Sequence, residues 1–331
     1  MRVLAVGNDL PVALETSYLH ALRRAGHDAR LFDWWRDGAR VPRGVGHRGL
    51  GAVAGARRGN AALLEACRSS RPDLLLVFKG LHVRRDTIES IRDAGVTAFC
   101  LNPDNPFNPS RTSSSPHILP AVPSWDCYFI WGRFLVERLY AIGARRAEYL
   151  PFAWDPDAHP YQEPAAEPRF AVSFVGNHSS HRERWLGAAG DLDLHVWGHG
   201  WDRAGSALRG RVRGGPVRGR EFSDIVRDSA VSLNVLDPWN VPSHNMRSFE
   251  LPGCGGLQLS THTDEVASLF LPDEEYLAFR TVGELRDQVH AALDAPEERR
   301  RIAKRGHERV RDETFDVRAA TILEVYRELR G

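Results

Sequence analysis

Short apolar runs alternate with longer amphipathic stretches through both halves of this chain. The run Leu74–Phe78 is apolar at every position, which is typical of a parallel strand with both faces buried. The stretch Leu14–Ala25 instead places its apolar residues on one helical face and stops at Gly26. A repeated strand–helix–strand order predicts an α/β fold, with parallel sheets covered by helices on both faces.

The same patterns predict most of the other elements. The predicted strands are Arg2–Val6, Asp28–Asp33, Leu74–Phe78, Thr97–Leu101, Cys127–Ile130, Phe170–Val175, Leu194–Trp197, Val231–Leu236 and Leu257–Ser260. The predicted helices are Leu14–Ala25, Thr87–Ala94, Arg182–Ala189, Phe222–Asp228 and Thr263–Phe270, followed by a mostly helical tail from Val282 to about Arg330. Residues 36–60 are rich in Gly and Arg and weakly patterned, so we expect a surface loop there, with a helix from about Asn60.

A proline-rich stretch separates the two halves. It carries Pro151, Pro156, Pro160, Pro164 and Pro168 in polar surroundings without periodicity, which is typical of a linker. A chain of 331 residues suits two domains, and we place them at 1–152 and 153–331. Both would be Rossmann-like, and the last helix could return to the first domain. A cleft between them would face the carboxyl ends of the strands, where such folds bind ligands.

The composition excludes several classes of protein. Lys and Arg number 44 and Asp and Glu 43, so the net charge of +1 provides no field for nucleic acid or an anionic membrane. The longest apolar runs are far shorter than the ~20 residues of a membrane-spanning helix. The amino terminus lacks a signal-peptide pattern, and the four cysteines show no C-x-x-C spacing. We therefore expect a cytoplasmic protein with reduced thiols.

The densest site signal is the segment Asp237–Gly256, which follows a predicted strand. A loop that leads into a short helix offers free backbone N–H groups and a positive dipole end to a phosphate. Arg247 could add a bidentate contact at the start of that helix. Glu250 lies three residues on, shares its face, and could accept hydrogen bonds from ribose hydroxyls. The alternative is that both residues form an ion pair on the surface of a helix.

Two further loops follow strands of the second half. Gly176 allows close approach of a ligand, and Asn177 and His178 could donate to phosphate or sugar oxygens. His178 and His181 could also be metal ligands, but no third ligand has a matching spacing, so no metal is predicted. Trp197 ends a neighbouring strand, where it could contact a ligand or simply belong to the core.

In the first half, Asp104 is the candidate catalytic residue. It follows a predicted strand within the sequence NPDNPF, and a carboxylate at that position can act as a general base, although such strings usually form turns. Lys79, one of only two lysines, could reach the same edge or remain a solvated surface cation. Gly7 and Asn8 end the first strand at this edge. No nucleophile elbow, P-loop or Cys/His nucleophile spacing is present in the sequence.

The segment Asn245–Gly256 (NMRSFELPGCGG), followed by Thr263–Val266 and an expected strand at Glu274–Phe279, resembles the carboxyl-terminal domain of group 1 glycosyltransferases. Within that family it is most similar to the spore-maturation (CgeB-like) branch. Weaker similarities are found at Tyr149–Pro156 (the linker), at Val77–Gly80 and Asn102–Pro106 (strand ends of the first domain), and at Gly215–Gly219 (the loop that holds the base).

The resemblance implies a GT-B fold whose second domain holds a nucleotide-sugar donor and whose first domain holds the acceptor. Glu250 would then bind the ribose, and Asn245–Ser248 would bind the diphosphate. Asp104 falls where relatives often have a catalytic His or Asp. The implied donor-binding set is Gly176, Asn177, His178, Trp197, Gly198, Val217, Asn245, Met246, Arg247, Ser248 and Glu250, and the implied acceptor set is Gly7, Asn8 and Lys79.

One position departs from the family pattern. Many group 1 enzymes carry a sugar-binding Glu eight residues before the ribose Glu, and Pro242 stands there in this chain. The identity of the sugar and the stereochemistry of transfer therefore stay open, as do the base, the acceptor and the oligomeric state. We expect a glycosyltransferase without metal or other cofactor, in which Arg247 and the helix start stabilise the leaving diphosphate. A nucleotide-sugar epimerase or hydrolase, or a non-catalytic binding or scaffold protein, is the alternative.

Overall fold

The computed structural model of this protein describes residues 1–40, 49–110 and 113–331. For residues 49–53 it describes the backbone alone. The chain forms two compact units. Unit 1 comprises Met1–Pro151 together with Phe315–Gly331, and unit 2 comprises Phe152–Thr314. Within the described residues, each unit contains a parallel six-stranded sheet.

The sheet of unit 1 has the strand order β2-β1-β3-β4-β5-β6. Its strands are β1 (Arg2–Gly7), β2 (Asp28–Asp33), β3 (Leu74–Phe78), β4 (Thr97–Asn102), β5 (Cys127–Ile130) and β6 (Ala147–Tyr149). Its helices are α1 (Leu14–Arg24), α2 (Gly49–Ser70), α3 (Arg85–Asp93), α4 (Ile118–Ala121) and α5 (Arg133–Ala141), with a π-helical turn at Trp34–Ala39. Every residue of β3, β4 and β5 is buried, as expected for strands covered on both faces.

The sheet of unit 2 has the order β12-β11-β10-β7-β8-β9. Its strands are β7 (Phe170–Val175), β8 (Leu194–Trp197), β9 (Val212–Gly214), β10 (Ser229–Asn234), β11 (Gln258–Thr261) and β12 (Leu277–Phe279). Its helices are α6 (Ser180–Ala188), α7 (Ser206–Arg209), α8 (Gly219–Arg227), α9 (Arg247–Gly253), α10 (Asp264–Leu269), α11 (Val282–Asp294) and α12 (Pro296–Val310), and the final helix α13 (Phe315–Arg330) belongs to unit 1.

The core of unit 2 lies on both faces of its sheet. A large cluster combines strand residues such as Val172, Leu194 and Val231 with Leu285 and Val289 of α11. A smaller cluster on the other side is defined here as the α8–α9 cluster. Its members are Val175, Trp197, Val217, Phe222, Ile225, Val226, Leu251 and Cys254. Full burial of one such large apolar side chain contributes about 1.5–3 kcal/mol, so these clusters hold α8 and α9 against the sheet.

In unit 1, helix α13 packs against α1. The rings of Tyr18 and Phe315 meet edge to face at 5.0 Å between centroids, and both side chains are buried. At the carboxyl end of α1, Nε of Arg24 donates to Asp316 at 2.9 Å. The carboxyl-terminal helix of the chain therefore stabilises the amino-terminal unit.

The strands predicted from apolar runs are confirmed, with shifts of one or two residues at some ends. The expectation of a loop over residues 36–60 is wrong, because α2 begins at Gly49 and a helical turn covers Trp34–Ala39. Small residues hide this helix from a periodicity search. A Cβ at Gly59 would lie 2.5 Å from the ring of Trp34, so close packing excludes a larger residue there. The part of the expectation that concerns residues 41–48 lies outside the described residues.

Two of the three-residue edge strands, β6 and β9, were not identified from the sequence, since they are too short to show a pattern. The third, β12 at Leu277–Phe279, lies within the expected strand Glu274–Phe279 but begins three residues later. In the part of the chain that the structure describes, no helix combines the length and hydrophobicity that a membrane crossing requires. The four cysteines are buried and form no disulfide.

Candidate functional site

Each unit carries a group of polar side chains at the carboxyl ends of its parallel strands, where α/β sheets bind ligands. We define the unit 2 cluster as Arg182, Asn245, Arg247, Ser248 and Glu250, with His159 beside it. We define the unit 1 cluster as Gly7, Asn8, Glu15, Lys79 and Asp104.

The centre of the unit 2 cluster is the pair formed by Arg247 and Glu250 in the first turn of α9. The guanidinium of Arg247 donates through Nε to the carbonyl of Val175, at the end of β7, at 3.0 Å. It also donates to the carboxylate of Glu250 and lies 4.3 Å above the centroid of the Phe222 ring. Glu250 is only 3% exposed, whereas the Arg247 side chain is 26% exposed. The alternative of a surface ion pair is therefore wrong for Glu250, whose charge is buried and compensated by Arg247.

His159 adds a second group beside Glu250. Its Nδ1 lies 4.0 Å from Oε1 of Glu250, and its ring packs edge to face on Phe222 at 5.2 Å between centroids. Burial lowers the pKa of His159, and the nearby negative charge of Glu250 opposes that shift only in part. The imidazole is thus mainly neutral near pH 7. The sequence offered no signal for His159, because the segment around it is typical of a linker.

A network of amides and hydroxyls forms the turn before α9. The side chains of Asn234 and Asn245 bond to each other in both directions, at 2.9 and 3.1 Å. Oδ1 of Asn245 also accepts from the backbone N–H of Ser248 at 3.2 Å, and the Ser248 side chain is buried. The backbone N–H groups of Met246 and Arg247 have no acceptor among the residues that the structure describes. The turn therefore presents these N–H groups, while the Asn245 and Ser248 side chains serve to shape it.

The loop after β7 is held by close backbone packing. The carbonyl of Gly176 accepts from Nε1 of Trp201 at 2.7 Å, and a Cβ at Gly198 would collide with the same carbonyl. His178 is bonded through Nε2 to Glu183 at 2.6 Å and through its backbone N–H to His199 at 2.8 Å. Only glycine at position 198 permits this approach of the two loops.

Asn177 is exposed, so it is the polar residue of this loop whose side chain is accessible to solvent. His181 lies beside Trp185, and among the described residues no group of His, Cys, Asp or Glu has the arrangement of a metal site.

Arg182 was not identified as a site residue from the sequence. Its Nε donates to the carbonyl of Val235 at 3.0 Å, and its Nη1 donates to the carbonyl of Asn177 at 2.9 Å. Burial lowers the pKa of Arg182, and the carboxylate of Asp237 opposes the shift. Since Arg247 is bonded to the end of β7, two guanidinium groups lie at neighbouring strand ends. The signal that could have revealed Arg182 is its position in the first turn of the helix that follows a Gly-Asn-His loop.

Two of the expected donor-binding residues lie in the core. Trp197 and Val217 are buried members of the α8–α9 cluster, and the Trp197 ring packs edge to face on Phe170 at 5.2 Å between centroids. This geometry favours the structural alternative for Trp197. A direct contact of either side chain with a nucleotide base stays a prediction.

In the unit 1 cluster, Asp104 and Lys79 form an ion pair, with 34% and 30% of their side chains exposed. Lys79 has a left-handed backbone with φ of 67°, and its N–H donates to the carbonyl of Leu101 at 2.8 Å. The backbone N–H of Asp104 is capped by Oδ1 of Asn102 at 3.0 Å. The structure thus joins two residues that were predicted separately.

Glu15, in the first turn of α1, completes the unit 1 cluster and was not identified from the sequence. Its Oε1 accepts from the backbone N–H and the side-chain amide of Asn8, at 3.2 and 3.4 Å. A Cβ at Gly7 would lie 2.5 Å from Cγ of Glu15, so this glycine makes room for the carboxylate. The predicted residues Gly7 and Asn8 therefore contact a carboxyl group that only the fold reveals, and the charge of Lys79 also acts on it.

Residues 181–324 match the protein family described as Glycosyl transferase-like. This segment, less than half of the chain, is similar to a glycosyltransferase domain. It contains Arg182, Arg247 and Glu250 and extends from α6 into α13. The expectation of a glycosyltransferase enzyme is confirmed, and the resemblance to group 1 enzymes is supported. No curated protein sequence matches the chain.

Several solved structures share the architecture along the full length of the chain. The sucrose-phosphate synthase of Thermosynechococcus elongatus is 13% identical, with a TM-score of 0.69 over 99% of both chains. The UDP-forming α,α-trehalose-phosphate synthase of Burkholderia xenovorans is also 13% identical, with a TM-score of 0.68 over 100% of this chain and 99% of that one. The Anabaena protein HepE in complex with UDP-glucose is 11% identical, with a TM-score of 0.67 over 98% of this chain and 99% of that one. At these identities the similarity establishes the fold, and the expected GT-B fold with two Rossmann-like domains is confirmed.

Proposed function

We propose that this glycosyltransferase moves a sugar from a nucleoside diphosphate sugar to an acceptor hydroxyl, and that the unit 2 cluster holds the donor. The observation that carries this proposal is the buried carboxylate of Glu250 bonded to Arg247 at the end of β7. Burial of an ion pair costs free energy because both ions lose hydration, unless hydrogen bonds or a bound ligand compensate for that loss. Binding of a ribose to the carboxylate and of a diphosphate to the guanidinium explains why the pair lies at the strand ends.

The proposed diphosphate contacts come from three sources. The backbone N–H groups of Met246 and Arg247 offer neutral donors, and Arg182 and Arg247 offer charged ones. Donors held in place before the reaction stabilise the charge that develops on a leaving diphosphate without the cost of reorganisation. The two guanidinium groups would thus take the role that a divalent metal has in metal-dependent transferases, and we propose a metal-independent reaction.

We propose that unit 1 binds the acceptor, with Lys79 and Asp104 at the carboxyl ends of β3 and β4 in contact with its polar groups. Pro242, which stands where many relatives have the sugar-binding Glu, implies that other residues recognise the donor sugar. Membership in the spore-maturation branch and a cytoplasmic location also stay predictions.

Calorimetric titration of the full chain tests the donor site. UDP and UDP-glucose are the first ligands to use, because the HepE structures hold UDP-glucose and UDP; GDP and ADP follow. The wild type should bind one of the nucleotides. Loss of hydrogen bonds to a charged group costs about 1.5–3 kcal/mol, so Glu250→Gln should weaken the affinity by roughly 10- to 100-fold.

The matched control is Glu274→Gln in the same unit, where the native carboxylate pairs with Arg305 on the surface. The control should bind the nucleotide like the wild type, and circular dichroism should show that both variants are folded. Equal affinity of Glu250→Gln and wild type would remove Glu250 from the donor site. Failure of the wild type to bind any of the nucleoside diphosphates would remove the proposed function itself.

A further inference from the structure

The central strands of the unit 2 sheet carry a group of buried polar side chains next to α9. Ser232 of β10 stands in register with Ser173 of β7 and with Gln258 of β11. The whole group is defined here as the polar layer, and its members are Ser173, Ser232, Asn234, Ser248, Gln258 and Ser260. Each of them is at most 1% exposed. Buried polar groups cost free energy unless they are hydrogen-bonded, so their bonds show what the layer holds in place.

Asn234, at the end of β10, connects the polar layer to the turn before α9. Its Nδ2 donates to Oδ1 of Asn245 at 3.1 Å and to Oγ of Ser248 at 3.2 Å, and its Oδ1 accepts from Nδ2 of Asn245 at 2.9 Å. The side chain of Asn234 therefore fixes the turn to the strand. It thereby also sets the direction of the backbone N–H groups of Met246 and Arg247.

The two paired amides could adopt two orientations. Exchange of oxygen and nitrogen in both Asn234 and Asn245 would preserve the bonds between them, because each amide group both donates and accepts. The backbone N–H of Ser248 requires the oxygen of Asn245 at 3.2 Å. Oε1 of Gln258 accepts from Nδ2 of Asn234 at 3.4 Å and requires the nitrogen of that amide. Gln258 thus selects the orientation from the side of the sheet, and Ser248 selects it from the side of the helix.

The amide of Gln258 is unfavourable for stability. Its Nε2 is buried and has no hydrogen-bond partner among the residues that the structure describes. A buried donor without an acceptor destabilises the folded state, since it has given up its bonds to water. An apolar side chain of similar size would avoid this loss. The bond from Asn234 to the oxygen of Gln258 therefore explains the amide better than stability does.

We propose that Asn234 and Gln258 are positioning residues of the donor site, which hold the turn Asn245–Ser248 so that its backbone N–H groups face the diphosphate. This inference rests on the proposed function. Both side chains are buried, so they act through the turn and not by contact with the donor. The ribose is assigned to Glu250, whose carboxylate is bonded to Arg247. Loss of the positioning should therefore weaken the contacts of the diphosphate and spare those of the nucleoside.

The test compares two ligands that differ in the diphosphate alone. The full chain is titrated by calorimetry with UDP, GDP and ADP, and the nucleoside of the base that binds is titrated by NMR of the ligand. The variants are Gln258→Leu and Asn234→Ala. The matched control is Ser173→Ala, since the hydroxyl of Ser173 belongs to the same layer but bonds to Ser232, at 3.3 Å, and not to the turn. Thermal melts measure the stability of every variant.

Gln258→Leu should lower the affinity for the nucleoside diphosphate by about 2- to 10-fold, which corresponds to the loss of one neutral hydrogen bond. Asn234→Ala loses its bonds to both Asn245 and Ser248, so the decrease should be about 10- to 100-fold. Both variants should bind the nucleoside like the wild type. Gln258→Leu should melt at the wild-type temperature or above it, because the unpaired donor is gone. Ser173→Ala should bind both ligands like the wild type.

Three results would overturn the inference while the proposed function stands. One is a folded Gln258→Leu or Asn234→Ala variant that binds the diphosphate as tightly as the wild type. Another is an equal loss of affinity for the nucleoside and the diphosphate, which would indicate a general distortion of unit 2. The third is a Gln258→Leu variant that is unfolded or less stable than the wild type, because the amide would then serve stability. A wild type that binds none of the nucleoside diphosphates overturns the proposed function, and this inference with it.

Discussion

Glu15 and Glu250 show two ways in which this fold keeps a carboxyl group away from water. Glu250 is compensated by a guanidinium that is itself fixed to the end of β7. Glu15 accepts hydrogen bonds from Asn8 and from its own backbone, and burial raises its pKa above its ordinary value. Residues placed for chemistry often carry such a cost in stability. A variant that removes the charge of Glu15 therefore reveals how much stability the native residue gives up.

Glu15→Gln should make the protein more stable than the wild type at neutral pH. The pKa of Glu15 in the folded state is raised above its ordinary value of 4.5, so folding binds a proton. The stabilising effect of that proton is complete below pH 4.5 and disappears as the pH rises through the folded-state pKa. Thermal melts of both proteins between pH 4 and 8 should show their difference growing toward neutral pH. A difference in Tm that does not change with pH would contradict the burial of this carboxyl group.

At the level of loops and helices, glycines decide how closely the elements of unit 2 approach. Gly198 has φ of 147°, a conformation that other residues rarely adopt, and a Cβ there would collide with the carbonyl of Gly176. Gly187 in α6, by contrast, has no atom within 4 Å of the position that a Cβ would take. One glycine is thus required by packing and the other is merely tolerated.

Gly198→Ala should destabilise unit 2 by about 1–3 kcal/mol, since both the strained backbone and the overpacked contact oppose it. Because the loops after β7 and β8 would move apart, nucleotide affinity should fall as well. Chemical denaturation and calorimetry measure the two effects.

The control is Gly187→Ala, which should stabilise the protein by roughly 0.5–1 kcal/mol because alanine is the better helix former. Affinity for the nucleotide should not change in this control. If both substitutions had the same effect on stability, the contact between Gly198 and Gly176 could not be the cause.

Considered as a whole, the molecule consists of two α/β units, each with its own sheet and its own cluster at the strand ends. The chain returns to unit 1 at its carboxyl end, where α13 packs on α1 through Tyr18 and Phe315. The stability of unit 1 therefore depends on residues at both ends of the chain. The cluster that is proposed to bind the donor consists of residues of unit 2.

Phe315→Ala should destabilise unit 1 by about 3–5 kcal/mol, the usual cost of truncating a buried phenylalanine. Nucleotide affinity at temperatures where the variant is folded should equal that of the wild type, because the donor site is proposed to lie in unit 2. Calorimetric scans with and without a saturating nucleotide measure both properties. A loss of affinity in this variant that matches its loss of stability would contradict the assignment of donor binding to unit 2.

Most strands and many helices could be predicted from local pattern, although the helices α4, α5 and α7 and the strands β6 and β9 were not. Continuous apolar runs such as Leu74–Phe78 and one-sided helices such as Leu14–Arg24 carry their signal within a few residues. The first half of helix α2 was not identified from the sequence, because its Gly- and Ala-rich sequence packs through small residues rather than through an apolar stripe. The turn before α9 and the pair Arg247–Glu250 were identified from the sequence because their residues are neighbours in the chain.

Partners that are distant in the chain could not be identified in this way. His159 reaches Glu250 from the proline-rich segment, Arg182 bonds to the ends of two strands, and the charge of Lys79 after β3 acts on Glu15. Local pattern determines which segments become strands and helices, because backbone preference and burial act over a few residues. The tertiary structure alone decides which side chains share a strand end, and therefore which carboxyl group is paired with a cation and which is held by neutral donors.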